Sequence, residues 1–520
     1  MYLGIDLGTS GVKAILLAEN GQVIASQGAA LSVSRPHPLW SEQSPADWWQ
    51  ATDQAMQALA ADHDLTQVKA LGLTGQMHGA TLLDKQHKVL RSAILWNDGR
   101  SFAQCQALEK AVPESRQITG NLMMPGFTAP KLKWLAEHEP EIFNSIDKVL
   151  LPKDYLRFLI TGDFASDMSD AAGTMWLDVA KRDWSDEMLA ACGLNRQHMP
   201  ALFEGSQITG HVSANIARRW GINPVPVVAG GGDNAAGAIG VGLYQTGQAM
   251  LSLGTSGVYF AVSDGFRSNP ASAVHSFCHA LPNTWHLMSV MLSAASCLDW
   301  ACQLTGVESV PALINEVENT PPAATPVWFL PYLSGERTPH NNPNAKGAFW
   351  GFTHQHGRAD LARAVLEGVG FALADGMDAL HASGLQPTSV TLIGGGARSS
   401  YWRQMLADIS GQTLEYRTGG DVGPALGAAR LAQIALNPDV PLAELLPALP
   451  LEQTHFPDAP RHQYYAARRV IFKKLYQQLL PLCECEQDKV QAISTWLTEQ
   501  VVEITSSFPQ PECGNGLSSS

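Results

Sequence analysis

A repeated hexapeptide constrains this chain of 520 residues more than any other feature. The residues Leu7-Gly-Thr-Ser-Gly-Val12 recur letter for letter as Leu253-Gly-Thr-Ser-Gly-Val258. At residue frequencies of roughly 5 to 10% each, chance is a poor explanation for this identity. Each copy lies between short β-rich runs, a pattern that predicts a strand, a tight turn and a second strand. We therefore expect a duplicated fold in which each half begins with the same hairpin.

The rest of the chain alternates strand-like and helix-like segments. Residues 389–393 have the composition of a buried strand, whereas residues 46–61 and 360–380 carry apolar side chains at helical spacing. This alternation predicts the α/β class, with ligands in a cleft between the halves. We expect three parts: an N-terminal domain of residues 1–244, a C-terminal domain of residues 245–482 and an acidic extension of residues 483–520.

The extension differs in character from the two halves. Residues 488–504 have the apolar spacing of an amphipathic helix, and residues 506–520 form a polar tail that we expect to be disordered. Two interpretations stay open, a dispensable appendage and a helix that docks a partner.

Composition limits the classes of function. Hydrophobic residues make up 45% of the chain and charged residues 16%, which argues against intrinsic disorder and coiled coil. The net charge of -14 argues against nucleic acid or an anionic membrane as a partner. The sequence contains no uncharged apolar run long enough to predict a membrane span. The eight cysteines lack the paired spacing of a zinc site or a disulfide framework. We expect a cytoplasmic protein.

The repeated hairpin suits phosphate binding without a basic surface. A turn of glycine, threonine and serine presents backbone N–H groups and short hydroxyls to one concavity, where phosphate oxygens can bind. An ordinary β-hairpin is the alternative, and the duplication favours the functional interpretation. The candidate phosphate ligands are Gly8, Thr9, Ser10, Gly254 and Thr255.

The residue before each copy differs. Asp6 precedes the first copy, and Ser252 takes its place before the second. An acid beside a phosphate site can hold magnesium, usually through the water molecules of the ion. Asp6 is therefore the candidate magnesium ligand.

A second acid follows an apolar strand in the segment Val227-Val-Ala-Gly-Gly-Gly-Asp-Asn-Ala-Ala-Gly237. A carboxylate placed there can accept a proton from an attacking hydroxyl, which makes Asp233 the candidate general base. The alternative is an aspartate that caps the next helix. The flanking glycines favour close approach of a substrate.

A third glycine-rich element is Thr391-Leu-Ile-Gly-Gly-Gly-Ala-Arg398, a strand followed by a helix. It lacks the spacing of a dinucleotide-binding loop, and the chain has no Walker-type loop. A flat ligand could pass close to the backbone of Gly395 and Gly396, and a simple tight turn is the alternative.

Two hairpins and a glycine-rich turn, in this order across two α/β halves, resemble the phosphate and adenosine elements of the actin, Hsp70 and sugar-kinase superfamily. Within it, the chain resembles the FGGY carbohydrate kinases over about residues 1–480. The resemblance rests on Gly126-Phe-Thr-Ala-Pro-Lys-Leu-Lys-Trp-Leu135, residues 347–367, Glu336-Arg-Thr-Pro339, Gly423-Pro-Ala-Leu-Gly427, Gln76-Met-His-Gly79 and Leu95-Trp-Asn-Asp-Gly-Arg100. The last two segments are similar to those of family members that phosphorylate D-xylulose.

The resemblance implies two actin-like, ribonuclease H-like domains with ATP in the cleft between them. It implies transfer of the γ-phosphoryl group to the carbon-5 hydroxyl of D-xylulose, as part of D-xylose catabolism. Asp233 would be the general base and Asp6 the acid linked to magnesium. The ketose would contact Met77, His78 and Asn234, the phosphates Gly8, Thr9, Ser10, Gly254 and Thr255, and the adenosine Gly395 and Gly396. A homodimer is a further expectation.

Residue type alone keeps some alternatives open. A histidine such as His78 is more often a satisfied buried side chain, and a tryptophan such as Trp96 is more often part of a core. Residues 97–100 are typical of a turn, so we leave them out of the catalytic set. Two functional alternatives also remain: an FGGY kinase acting on ribulose, fuculose or glycerol, and a non-catalytic sugar or ATP sensor on the same scaffold.

Overall fold

The computed structural model describes residues 1–419 and 423–506. The N-terminal half contains the strands β1 (Tyr2–Leu7), β2 (Gly11–Leu17), β3 (Val23–Ala30), β4 (Glu42–Gln43), β5 (Ala70–Gly75), β6 (Thr81–Leu83), β7 (Ala93–Ile94), β8 (Lys148–Leu150), β9 (Ala165–Asp167), β10 (Leu177–Asp178), β11 (Asp183–Trp184), β12 (Ala201–Phe203), β13 (Ile208–His211), β14 (Pro226–Val228) and β15 (Gly231–Gly232). Its helices are α1 (Pro45–Asp62), α2 (Phe102–Ala111), α3 (Ser115–Thr119), α4 (Thr128–His138), α5 (Pro140–Asn144), α6 (Pro152–Thr161), α7 (Met168–Ala172), α8 (Asp186–Ala191), α9 (Ala214–Trp220) and α10 (Asp233–Gly240).

The C-terminal half contains the strands β16 (Gln248–Leu253), β17 (Gly257–Ser263), β18 (His275–Cys278), β19 (Trp285–Met291), β20 (Trp328–Leu330), β21 (Ala348–Trp350), β22 (Ser389–Ile393), β23 (Leu414–Arg417) and β24 (Leu451–His455). Its helices are α11 (Ser296–Thr305), α12 (Val310–Asn319), α13 (Arg358–His381), α14 (Ser400–Ser410), α15 (Pro424–Leu436), α16 (Leu442–Leu445) and α17 (Ala459–Ser506).

Two mixed sheets share one strand order. The first runs β13-β14-β5-β1-β2-β3, with β15 also paired to β5, and the second runs β24-β23-β22-β16-β17-β19-β18. In each sheet the first strand of the hairpin pairs antiparallel with the second strand and parallel with a later one, β5 or β22. The duplicated α/β fold expected from the repeat is confirmed.

The helices that the apolar spacing predicted pack on these sheets. The prediction for residues 46–61 corresponds to α1, which buries Trp48, Met56 and Leu59. The prediction for residues 360–380 corresponds to α13, which is buried over most of its length because it packs against β19, β20 and the helices α11, α12 and α14. The predicted strand at residues 389–393 is β22.

Helix α15 packs on the sheet of the N-terminal half. A Cβ atom added to Gly4 of β1 would lie 2.0 Å from the carbonyl oxygen of Ala425, and one added to Gly72 of β5 would lie 2.0 Å from that of Ala428. Only glycine therefore permits this approach. The helix also crosses α10, where a Cβ on Gly427 would lie 1.7 Å from the Ala236 oxygen. The backbones of the two halves thus meet directly behind the site. The predicted boundaries after residues 244 and 482 stay predictions.

The predicted helix at residues 488–504 is confirmed as the last part of α17. Disorder was expected for the tail at residues 506–520; Ser506 is instead the last residue of α17, and residues 507–520 lie outside the described residues. In the part of the chain that is described, no helix combines the length and the apolar character needed to cross a membrane.

Candidate active site

Strand pairing brings the two candidate acids to one edge of the first sheet. Asp6 of β1 pairs with Thr74 of β5, and the next residue of β5, Gly75, pairs with Gly232 of β15. Asp233 follows Gly232 as the first residue of α10. Asp6 and Asp233 therefore emerge on either side of β5, at the same end of neighbouring strands.

Burial shifts the pKa of both carboxyl groups. Burial raises the pKa of Asp233 to about 6, while hydrogen bonds from the backbone N–H (2.7 Å) and Nδ2 (2.8 Å) of Asn234 to its Oδ1 oppose this rise. Burial raises the pKa of Asp6 to about 7, the negative charge of Asp233 adds to this rise, and Lys13 opposes it. Asp6 Oδ1 is buried without a hydrogen-bond partner in the described structure.

These contacts are consistent with both interpretations of Asp233, the helix cap and the general base. Its Oδ1 bonds the first turn of α10, as in a local cap, but no hydrogen bond to its Oδ2 is found among the described residues. One oxygen is thus fixed by the helix, and the other remains available to a ligand.

Buried polar groups that the sequence did not single out hold the strand before Asp233. The N–H of Gly232 donates to Ser169 Oγ (3.0 Å), and the Ser169 hydroxyl donates to Asp167 Oδ2 (2.5 Å). The guanidinium of Arg157 donates to the carbonyls of Val228 (2.5 Å) and Ala229 (2.7 Å). These residues are distant in sequence from Asp233, so no local motif could have revealed them.

Met77 and His78 follow β5, and Met77 packs against Gly232, the residue before Asp233. Met77 is buried under Gly232, where an added Cβ atom would lie 3.0 Å from its sulfur. His78 has a left-handed backbone (φ 70°), and its Nδ1 lies 2.7 Å from the carbonyl oxygen of Gly173. Burial lowers the pKa of His78 to about 3, so the ring is neutral. Since Nδ1 must then carry the proton that bonds this carbonyl, Nε2 can only accept a hydrogen bond, for example from a hydroxyl group of a ligand.

The first hairpin is tied to the same pocket. The Thr9 hydroxyl donates to Gln76 Oε1 (3.0 Å) and accepts from Trp96 Nε1 (3.0 Å). Gln43 Nε2 donates to the Thr9 carbonyl (2.7 Å), and Gln76 Nε2 donates to Gln43 Oε1 (2.9 Å). Trp96 is half-buried rather than part of the core, and it bridges the hairpin to the segment after β7.

The segment after Trp96 is a turn, as its composition indicated. The N–H of Asp98 donates to the Leu95 carbonyl (3.2 Å), and Asp98 forms an ion pair with Arg100 (2.7 Å) in which both side chains are almost fully buried. We find no role for these groups in the site.

The second hairpin opens instead on a cavity of about 850 Å³ in the C-terminal half. Gly254, Thr255, Gly395 and Gly396 line it, whereas no residue of the first hairpin does. Its walls combine apolar and polar side chains. The apolar ones include Leu298, Pro311 and Ile314, and those with polar groups include Asn315, Glu318, Tyr401 and Gln404. Such a mixed, preformed cavity suits a nucleoside.

The two glycines of the third element differ in their surroundings. A Cβ atom added to Gly395 would meet no protein atom within 4 Å, whereas one added to Gly396 would lie 2.8 Å from the ring of Trp402. Gly395 therefore leaves space for a ligand, and Gly396 is required by the packing of the protein itself.

The structure thus gathers the candidate residues into two groups. Asp6, Met77, His78, Asp233 and Asn234 lie around the end of β5 with the first hairpin, and Gly254, Thr255, Gly395 and Gly396 lie around the cavity. Among the side chains that the structure describes, no cluster of three or more His, Cys, Asp or Glu forms a metal site.

Comparisons with known proteins agree with this architecture. The model of the N-terminal domain of the FGGY family of carbohydrate kinases matches residues 1–240, and that of the C-terminal domain matches residues 249–436. Xylulose kinase of Escherichia coli (strain K12) is 73% identical over 482 residues, which cover 93% of this chain and 100% of the relative. Xylulose kinase of Klebsiella pneumoniae is 68% identical with the same coverage.

A solved structure of a related kinase has the same fold. The crystal structure of a xyloylose kinase from Brucella ovis superposes with a TM-score of 0.89 at 48% identity, and the match covers 92% of this chain and 99% of that one. Since both family models match and together span most of the chain, it belongs to the FGGY family of carbohydrate kinases.

Proposed function

We propose that this carbohydrate kinase transfers the γ-phosphoryl group of ATP to D-xylulose, forming D-xylulose 5-phosphate in D-xylose catabolism. One observation carries the proposal. Asp233 has one oxygen fixed by Asn234 and the other without a partner in the described structure, and it lies near Asp6 and next to Gly232, against which Met77 packs. The identity to the xylulose kinases of E. coli and K. pneumoniae supports D-xylulose as the acceptor.

The roles of the residues follow from this arrangement. Asp233 accepts the proton of the C5 hydroxyl as the hydroxyl oxygen attacks the γ-phosphorus and the bond to the β-phosphate oxygen breaks. A carboxyl whose pKa lies near 6 is mostly ionised at neutral pH and still basic enough for this transfer. Asn234 orients the carboxylate, Met77 shapes the floor of the pocket, and His78 Nε2 accepts a hydrogen bond from a sugar hydroxyl.

We assign the nucleotide to the cavity of the C-terminal half. Thr255 and Gly254 bind phosphate oxygens, and the adenosine lies against Gly395. Gly396 contributes by allowing Trp402 to pack behind it. Gly8, Thr9 and Ser10 face the transferred phosphoryl group through their backbone.

Asp6 fits the role of a magnesium ligand, because its Oδ1 is a buried carboxyl oxygen without a protein partner in the described structure. Magnesium bound there would neutralise charge on the phosphates of ATP. It would also lower the raised pKa of Asp6, so that this carboxyl is ionised in the loaded enzyme.

A coupled ADP-release assay with D-xylulose, ribulose, fuculose, glycerol and no sugar tests the proposal. We expect the highest kcat/KM with D-xylulose. If another sugar gave the highest value, the protein would be an FGGY kinase with a different substrate. If no ADP were released with any of the sugars, the protein would be a non-catalytic sensor.

The Asp233→Ala variant should lose at least about 100-fold in kcat while it still binds ATP. Asp62→Ala, at the exposed end of α1, is the matched control and should keep the parental kcat. Near-normal turnover of the Asp233 variant would mean that another group is the base.

A homodimer and a cytoplasmic location stay predictions of the sequence. Light scattering after size-exclusion chromatography tests the first, and cell fractionation tests the second.

A further inference from the structure

Arg337 lies on the segment Glu336-Arg-Thr-Pro339, one of the segments that carry the family resemblance. The neighbours of Arg337 are fixed to strand β19. The N–H of Thr338 donates to the Val290 carbonyl (3.1 Å), and Glu336 Oε1 accepts from the N–H of Leu292 (3.1 Å). The Thr338 hydroxyl also donates to the Ala273 carbonyl (2.9 Å), just before β18. The backbone at Arg337 is therefore held in one place.

A chain of aromatic rings leads from β18 to the sugar site. The ring of His275, the first residue of β18, lies 5.6 Å from that of Phe127, and Phe127 lies 4.9 Å from His78. The positive charge of Arg337 contributes to lowering the pKa of both His78 and His275, so its guanidinium lies within electrostatic range of both rings. Arg337 is not among the groups that shift the pKa of Asp233, whose shift arises from burial and from Asn234.

The guanidinium has an acidic neighbour, Glu336, but no hydrogen-bonded partner among the described residues. Arg337 is half-buried, and none of the residues that the structure describes forms a hydrogen bond or ion pair with its side chain. The adjacent Glu336 raises the pKa of Arg337 against the effect of burial, but its carboxyl does not bond the guanidinium. Its Oε1 accepts from the backbone N–H groups of Arg337 (2.7 Å) and Leu292 (3.1 Å), and its Oε2 is buried without a partner in the described structure. Removing a cation from water without a compensating partner is unfavourable, so such a group is expected to meet a ligand.

We propose that Arg337 binds the C1–C2 end of the ketose, with its guanidinium donating to the C1 hydroxyl and the C2 carbonyl oxygen. The assignment rests on the proposed function, in which Asp233 takes the C5 hydroxyl at the opposite end of the sugar. A planar fork of N–H groups matches two adjacent oxygens of a planar hydroxyketone better than it matches the tetrahedral carbons of a polyol. Arg337 is thus a specificity-determining residue, and it is supplied to the sugar site by the C-terminal half.

This assignment has a consequence for domain closure. His78, Met77 and Asp233 belong to the N-terminal half, whereas Arg337 belongs to the C-terminal half. A ketose held at both ends connects the two halves, and this contact favours the closed arrangement only when the correct sugar is present.

The test measures dissociation constants by isothermal titration calorimetry in the presence of a non-hydrolysable ATP analogue and magnesium. The ligands are D-xylulose and D-arabinitol, in which the C2 carbonyl is reduced to a hydroxyl. In Arg337→Gln we expect the Kd of D-xylulose to rise about 10- to 100-fold, as for loss of hydrogen bonds to a charged group, and that of D-arabinitol to change less than about threefold. Arg337→Lys keeps the charge without the fork and should be intermediate for D-xylulose. Arg358→Gln, which removes an exposed arginine paired with Glu316, is the matched control and should bind both as the parent does.

Two further readouts separate the possible failures. The midpoint of thermal unfolding should stay constant or rise in Arg337→Gln, because an unpaired charge is removed; a clear fall would assign a structural role and overturn the proposal. Equal weakening of both ligands, or of neither, would also overturn it. If Arg337→Gln does not fold, the ratio of the two constants in Arg337→Lys decides in the same way. If the parent protein binds no D-xylulose, the proposed function itself fails.

Discussion

The two copies of the hexapeptide form hairpins that differ in register. Leu7 pairs with Val12, whereas Leu253 pairs with Gly257, one residue nearer the turn. The N–H of Gly8 accordingly donates to the Gly11 carbonyl, and that of Gly254 to the Ser256 carbonyl, both at 3.0 Å. Identical residues thus form two different turns.

The surroundings of each turn explain the difference. Gly11 lies against strand β3, where an added Cβ atom would be 2.7 Å from the Ala29 carbonyl oxygen. The carbonyl of Thr255 instead accepts from the N–H of Ala294 (2.9 Å) and the hydroxyl of Ser296 (2.8 Å) at the start of α11. Short polar sequences specify that a hairpin forms, and tertiary contacts select its register.

The threonine hydroxyls differ for the same reason. Thr9 is half-buried and its hydroxyl bonds both Gln76 and Trp96, whereas Thr255 is exposed and no described group bonds its hydroxyl. Asp6 beside the first copy and Ser252 beside the second complete the contrast. The first hairpin is thus tied to the residues around Asp6 and Asp233, where we propose that the sugar binds, and the second lines the cavity that we assign to the nucleotide.

The residue before each copy should give the largest difference. Asp6→Asn should lower kcat at least about 100-fold and raise the magnesium concentration needed for half-maximal rate, because it removes an anionic ligand. Ser252→Ala should change kcat less than about twofold, since a hydroxyl there holds no charge. Steady-state assays over a magnesium series measure both. Equal losses in the two variants would break the comparison.

The pH dependence of kcat should come from Asp233, near the first hairpin, and not from the second hairpin. Since the pKa of Asp233 is raised to about 6, the base is ionised above this pH, and kcat should fall about tenfold per pH unit below it. Asn234→Ala removes the hydrogen bond from Nδ2, one of the two that lower this pKa, and keeps the one from the backbone N–H, so the midpoint should move to higher pH. Ser252→Ala should leave it unchanged. A midpoint that does not respond to Asn234→Ala would mean that another group controls the rate.

The two hydroxyls should give the smallest effects, of different kinds. Thr255→Val should raise the KM for ATP about 2- to 10-fold without a change in thermal stability, as for loss of one hydrogen bond to a ligand. Thr9→Val should lower the unfolding midpoint by about 2–5 °C, because Trp96 and Gln76 lose their partner. Scanning fluorimetry and ATP titration separate the outcomes. If Thr9→Val changed only the KM for ATP, the hairpins would be functionally alike.

Some of the site followed directly from local pattern. The hexapeptide repeat predicted the duplication, and apolar spacing predicted α1, α13 and β22 close to their observed ends. The glycines around Asp233 predicted an acid open to a ligand, and one of its oxygens has no partner among the described residues. These features follow from sequence because each depends on contiguous residues.

Other features depend on groups far apart in sequence. The Ser169 hydroxyl bonds Gly232, Gln43 and Gln76 join the first hairpin, and Arg337 approaches His78 from the other half. By itself, the sequence determined the repeat, the class of fold and the residues able to do the chemistry, since backbone geometry and side-chain type are local properties. Only the tertiary structure decided hairpin register, the protonated nitrogen of His78 and which hydroxyls remain open, because hydrogen-bond partners and burial arise from long-range packing.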